Sequence, residues 1–517
     1  MHAPNWLKNA VLYNVYPQTF CDSNGDGIGD LNGILSKLDY IVEMGYDVIW
    51  LNPIFVSPFR DAGYDVADFY TVAPRYGTND DFARLAAEAH KRGLKVVMDL
   101  VAGHTALECE WFRQSALPTA NAYTNRYIWS HSVWDTDGNN LISGYSDRNG
   151  CYMKNFFYCQ PALNYGFKTI TRPWQLPMDH PDCLATRDEL LNVLLHWSKL
   201  GADGFRVDLA SSLVKNAPTG EGIIELWNDV IGRYKKEYPN NVLLSEWCNP
   251  KRAIAAGFDI DLLISSGLKA YTTLFRYEEG ASVNDEFNFG DSYFRRAGKG
   301  DTAEFLRDYL EHYHATKNDG YITIPTGTHD IPRLALWRDT EELRPAIVFC
   351  MTMPGVPLVY YGDEIGMRYI EGLTSKEGGF NRTGSRTPMQ WDDTKNHGFS
   401  CSDTPYLPTD SAADAPTVEA QRKDPDSLLN LTKALIALRK AHPELQADGD
   451  FEVLHEGYPV VYKRTEGDET VIVALNPSDT VRTVELPTAS DVLLSRGAAI
   501  DGNTATLGAV SYLIYKA

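Results

Sequence analysis

The chain has 517 residues, 44% of them hydrophobic and 23% charged, a composition ordinary for a globular protein and a length that calls for two or three domains. Its formal net charge of −21, with a pI near 5.0, argues against partners that reward a basic face, nucleic acid and anionic membranes, and leaves a neutral ligand unaffected. No uninterrupted apolar run approaches the roughly 18 residues of a membrane span. The segment from Met1 to Ala10 has no basic stretch followed by an apolar run and a cleavage site. The eight cysteines are scattered without a metal-binding spacing and read as reduced thiols rather than a disulfide framework, so a cytoplasmic chain is expected.

In chain order, short β-branched runs alternate with longer amphipathic segments. Val11–Tyr16, Val48–Asn52, Lys95–Leu100, Gly204–Asp208, Val242–Trp247, Ile322–Thr326 and Pro357–Tyr361 read as buried strands, with a further one near Ile260–Ser265. Between them lie helical patterns: Phe82, Leu85, Ala86 and Ala89 share one face, with Thr78 able to cap its start and Gly93 its end. Leu190, Leu191, Leu194, Leu195 and Trp197 make a second stripe. Apolar strands alternating with helices predict a parallel sheet covered by helices, and eight strands suit a closed (β/α)₈ barrel, although a doubly wound sheet would also alternate.

Two regions break the rhythm. From about His104 to Arg172 the chain is rich in Asn, Gly, Tyr and Trp without a helical period, which predicts a subdomain inserted after the third strand. From about Asp448 short apolar–polar runs punctuated by turn residues predict an antiparallel β-sandwich. The expected division is 1–104 and 176–440 for the barrel, 105–175 for the insertion and 441–517 for the β-domain.

Several strands end in ionisable residues: Asp99 with His104 beyond it, Arg206 and Asp208, Glu246, and His329 with Asp330. In a parallel barrel the carboxyl ends of the strands converge on one face, where catalytic groups from different strands meet. An ion at the end of an apolar run costs several kcal/mol unless it is paired or used. A single such acid reads as a cap or a structural pair; four with two histidines and an arginine read as a site.

DLVAGH (99–104), GFRVD (204–208), LLSEW (243–247) and GTHD (327–330) resemble, in order, the signature segments of the α-amylase family, glycoside hydrolase family 13. VLYNVYPQTF (11–20), GYDV (63–66), PLVYYGDEIGM (357–367) and SRTPMQWDD (385–393) extend the resemblance over residues 5 to 400 and on to the β-domain. It implies a retaining hydrolase of α-glucosidic bonds, α-1,4 in maltooligosaccharides, with Asp208 as nucleophile, Glu246 as acid/base and Asp330 as third carboxylate. Arg206 would hold Asp208 ionised, His104 and His329 would grip ring hydroxyls with Asp330, and Tyr64 would supply a stacking platform. Asp61, with Arg382 or Arg386, would clamp a terminal glucose; Arg386 sits in the tighter match. No organic cofactor is implied. A transglycosylase or isomerase of the trehalose synthase type shares every one of these residues.

Three positions depart from the family pattern: Gly103 where many members have Asn, Thr328 where Asn is common, and Ala162 where the usual segment has Asp. The first makes doubtful the calcium site that this Asn serves. A different loop, Asp22, Asn24, Asp26, Ile28 and Asp30, spaces oxygens at alternate positions as calcium loops do but lacks the closing Glu of an EF-hand. By the resemblance it would hold Ca²⁺, or Mg²⁺, through these side chains and the Ile28 carbonyl.

Overall fold

The computed structural model describes residues 3–135, 140–143, 146–264, 269–276, 291–378 and 380–517. Eight parallel strands come in the expected order: β1 (Leu12–Val15), β2 (Val48–Leu51), β3 (Lys95–Val101), β4 (Gly204–Asp208), β5 (Val242–Ser245), β6 (Ile260–Leu262), β7 (Tyr321–Thr323) and β8 (Leu358–Tyr360). Ser265, the last residue of the expected sixth strand, lies outside the described residues. Each strand pairs with its sequence neighbour and β1 pairs with β8. The circle closes between β7 and β8, where Val356 donates to Ile322 O and Thr326 to Leu358 O, beside a parallel bridge from Pro325 to Leu358. The doubly wound alternative is thereby excluded.

Period-two alternation decides what lies inside. Leu12, Val48, Trp50, Val97, Val242, Leu244, Ile260, Leu262 and Leu358 form one buried cluster, while their neighbours Tyr13, Ile49, Val96, Phe205 and Leu243 belong to the larger core shared with the helices. Continuing the inward register toward the carboxyl ends, Trp50 leads to Asn52, Val97 to Asp99, Gly204 to Arg206 and Asp208, and Leu244 to Glu246. The barrel is thus apolar at its base and ionisable at its top.

The covering helices include Asn79–Lys91, opened by a capping box between Thr78 and Asp81, and Pro181–Lys199, which buries Leu190, Leu191, Leu194 and Trp197. Between β3 and β4 the chain builds a small layer of its own. Leu141–Ile142 pairs with Tyr152–Met153, and Ile128, Leu141, Cys151, Ala162, Phe167 and Trp174 pack together. A short helix, Glu110–Ser115, also forms there; six residues are too few for a periodic stripe to announce it.

The C-terminal strands are β9 (Asp450–His455), β10 (Val460–Glu466), β11 (Glu469–Asn476), β12 (Arg482–Glu485), β13 (Asp491–Asp501) and β14 (Thr504–Lys516), all antiparallel. Their hydrogen bonds form one network around the long β14, with Val461, Ile472, Leu507 and Leu513 in a core on one face. Val460, Tyr462, Val473 and Ile514 on the other face join the main core.

Just past β8, Glu364 is fully buried and accepts from Tyr13 Oη (2.6 Å) and Tyr40 Oη (2.7 Å) on Oε1, while its Oε2 has no partner among the described residues. Burial pushes its carboxyl up to about 7, against the pull of the two phenols. Between the ordinary carboxylate range and pH 7 the folded protein therefore holds a proton that the unfolded chain has lost, so stability falls as pH rises through that window. Glu364→Gln removes the titration. Its melting temperature relative to the parent is expected to climb from pH 5 to pH 8, and a difference that stays constant across that range would refute the assignment.

Candidate active site

Arg206 lies at the centre of the barrel top. Its Nη1 reaches Asp99 Oδ1 at 2.7 Å and Asp208 Oδ1 at 3.1 Å, and its Nη2 reaches Glu246 Oε1 at 2.8 Å. The register explains the meeting: Asp99 is the ladder partner of Arg206 on β3, and Asp208 stands two residues on, along the same face of β4. Glu246 follows β5, and its Oε2 accepts from the Leu209 amide at 2.9 Å, a contact made possible by the positive φ of 44° at Leu209. Asp99 Oδ2 accepts from Tyr64 Oη (2.9 Å) and Trp50 Nε1 (3.2 Å). The side chains of Arg206 and Asp99 are 2% and 0% exposed, whereas those of Asp208, Glu246 and Asp330 keep 11%, 10% and 26%. Only the last three can meet a ligand.

One cation among three carboxylates cannot neutralise them all. Burial, and next the charge of Glu246, push Asp208 well above the usual carboxylate range in spite of Arg206. Arg206 opposes that rise, as its pairing with Asp208 leads one to expect, without cancelling it. Glu246 takes two good donors and Asp208 one longer contact. Asp99 is pushed up by burial to about 6, with Arg206 opposing.

Asp330 is the converse case. Burial disfavours its charge, yet His329 (Nε2 to Oδ2, 3.1 Å), Arg382 (Nη1 to Oδ1, 2.6 Å) and Arg386 (Nη2 to Oδ1, 3.1 Å) outweigh it and hold the carboxyl well below the ordinary range. His329 is held by Asn52 at 3.0 Å and stacks at 5.1 Å on Tyr64. Tyr64 is 5% exposed, so it builds the wall through His329 and Asp99 and offers little ring face of its own. His104 donates from Nε2 to Tyr64 O (3.1 Å) and accepts at Nδ1 from Asn155 (3.1 Å). Burial depresses His104 to about 3 and His329 to about 4, so both rings are neutral at ordinary pH.

Asp61 accepts from Gln160 at 2.7 Å and lies 3.5 Å from Arg382 Nη2. Burial raises it to about 6, with Arg382 opposing first. Arg382 thus spans Asp61 and Asp330, while Arg386 also donates from Nε to His329 O and sits behind Asp330. Of the two arginines left open by the sequence, Arg382 is the one beside Asp61. The contributions of Asp99, Gln160 and Asn52 went unassigned in the sequence; Asp99 at least stood at the end of a buried strand.

The departures at Gly103 and Ala162 have local reasons; nothing in the structure explains Thr328. The space a side chain at Gly103 would need is filled by Asn155 Nδ2 and Ser212 Oγ. Lys215 places its ammonium against Asn155 Oδ1 (2.8 Å) and the Ser212 carbonyl, and a fixed cation there opposes binding of a second. Ala162 packs inside the apolar cluster of the inserted layer, where an Asp would be unpaired. In the N-terminal loop, Asp22 Oδ1 accepts from the Asn24 and Gly25 amides, Asn24 Oδ1 from Asp26 N, and Asp26 Oδ1 from Ile28 N. Asp30 is taken by Ser23 and the Gly33 amide. Among the described residues no three His, Cys, Asp or Glu side chains converge as a metal cluster. The alternate oxygens fit a cation only with the aid of Asn24 and the main chain.

A family model described as alpha amylase, catalytic domain, matches residues 14–448. The chain belongs to the alpha-amylase family. It is 32% identical to an oligo-1,6-glucosidase of Parageobacillus thermoglucosidasius over 93% of this chain and 92% of that one. It is 34% identical to the trehalose synthase/amylase TreS of Mycolicibacterium smegmatis, over 88% of this chain and 80% of that one. Among solved structures it resembles an isomaltulose synthase mutant from Erwinia rhapontici NX5 in complex with D-glucose, with TM-score 0.83, 25% identity and full coverage of both chains. This family member is a glycoside hydrolase in the general sense.

Removing one partner of a buried ion cluster is expected to cost about 3–5 kcal/mol. Arg206→Met should therefore destabilise the protein by about that amount at pH 8, and by less near pH 5, where the stranded acids take up protons. Urea unfolding at both pH values checks this; equal losses would show that the charge cluster is not the cause.

Proposed function

We propose that this protein hydrolyses α-glucosidic bonds of short maltooligosaccharides, α-1,4 linkages first, by double displacement with retention. The observation that carries the reading is the single guanidinium of Arg206 bound at once to Asp208 and Glu246. Such bridging requires two close carboxyls, and retaining enzymes hold theirs about 5–5.5 Å apart. Asp208 attacks the anomeric carbon through Oδ2, the oxygen Arg206 leaves open, and a glycosyl ester forms as the bond to the leaving oxygen breaks. Glu246 gives its proton to that oxygen, then takes one from water as the ester is cleaved. Asp330, ionised and held by two arginines, binds ring hydroxyls with neutral His329 and His104; His104 must exchange one of its present partners to do so. Asp61 and Arg382 close the far end of the pocket, which supports release of a terminal glucose. The likeness to a trehalose synthase/amylase favours a second reading, isomerisation or glucosyl transfer, in which a sugar hydroxyl replaces water.

Incubation with maltose separates the two. Glucose as the main product is expected, with isomaltose turned over more slowly; abundant trehalose or longer oligosaccharides would establish the second reading. Asp208→Asn is expected to lower turnover by roughly 10⁴-fold, the scale of losing a nucleophile. Full activity in that variant would remove Asp208 from the mechanism.

We propose in addition a structural Ca²⁺ or Mg²⁺ in the loop from Asp22 to Asp30, supported by its oxygens at alternate positions. Excess chelator is expected to lower the melting temperature by several degrees, with Ca²⁺ restoring it; an unchanged melting curve would exclude the ion. A reducing, cytoplasmic location is supported by eight unbridged cysteines, seven of them buried.

A further inference from the structure

Glu246 stands at the first bend beyond β5, and the segment that carries it is wrapped around a carboxylate from the neighbouring strand. Asp261 in β6 is the ladder partner of Ser245 and is completely buried. Its Oδ1 accepts from Ser245 Oγ at 2.6 Å and from the Trp247 amide at 3.1 Å, and its Oδ2 accepts from the Asn249 amide at 2.7 Å. The donors stand immediately before and after Glu246. Between the two amides lies Cys248 with φ of 53°, a left-handed turn that a side chain rarely adopts unless its surroundings enforce it. Consecutive amides around such a residue form a concave anion-binding nest, and here the anion is internal. Asn249 next caps the helix Pro250–Ala255 through its own side chain, so the turn leads directly into a fixed element. Asp261 contacts none of the site acids and no cation, which leaves the bend as its one evident task among the described contacts.

We infer that Asp261 is a positioning residue for the acid/base: by gathering Ser245, Trp247 and Asn249 it fixes the main chain on both sides of Glu246 and aims that carboxyl at the leaving oxygen. The inference rests on the proposed role of Glu246. Asp261→Asn keeps the shape but turns one acceptor into an amide donor facing another N–H, which opens the nest. Loosened aim weakens proton donation, and proton donation matters only when the leaving group is poor.

The test compares kcat/KM for an alkyl α-glucoside with that for α-glucosyl fluoride, whose departure needs little proton assistance. Asp261→Asn is expected to lower the first by about 10²-fold and the second by less than about 3-fold. Ser245→Ala, which removes one donor and spares the carboxylate, should shift the ratio in the same direction by several-fold, and it serves if the Asn variant does not fold. Equal losses on both substrates, or none on either, would overturn the inference. If Glu246→Gln itself shows no such leaving-group dependence, or the parent turns over neither substrate, the reading of Glu246 as acid/base falls, and this inference with it.

Discussion

The guanidinium of Arg206 is the constraint on which the site depends. It is buried at the top of a barrel whose base is apolar, and it holds Asp99, Asp208 and Glu246 from three different strands or strand ends. A planar fork can serve several carboxylates at once, which an ammonium on a flexible stem could not do with the same geometry. The barrel supplies the rest. Because adjacent parallel strands are in register, Asp99 and Arg206 face each other without any loop deciding it. The reactive geometry is therefore inherited from strand pairing, the stiffest part of the molecule.

Around that hub the loops do a different kind of work. Asn155 and Gln160, from the layer inserted between β3 and β4, contact His104 and Asp61 respectively. Arg382, after β8, reaches both Asp61 and Asp330. Chemistry is thus assigned to strand ends, and the shape of the sugar pocket to segments that tolerate change. One departure from the family pattern, Ala162, falls in the inserted layer, and another, Gly103, is fitted to it. Lys215 and Asn155 fill the neighbourhood of Gly103 with an ammonium and its acceptor.

What the sequence disclosed follows the same division. All eight strands were legible, because buried parallel strands are continuous apolar runs bounded by polar residues, and the strand-end ions stood out against them. The edge strand β13 was not, since its solvent-facing pattern with Ser495, Arg496 and Gly497 lacks an apolar stripe. Arg382 and Arg386, four residues apart in one motif, could be told apart only by where the chain turns. Asp261 could not be separated by pattern from Asp259, two residues earlier, whose carboxylate is bound by Lys235. The pairing of Asp208 with Arg206 was legible from their spacing on one strand face, but not the sharing of that cation with two other acids.

That sharing sets the charge balance of the site. Asp330 has Arg386 and a share of Arg382 beside it and is held well below the ordinary carboxylate range, whereas Asp208 and Glu246 divide what Arg206 has left after Asp99. One guanidinium among three carboxylates opposes the burial of Asp208 and the charge of Glu246 without cancelling them. The two-step displacement proposed above needs one group as acid and the other as anion, a division that a single shared guanidinium permits.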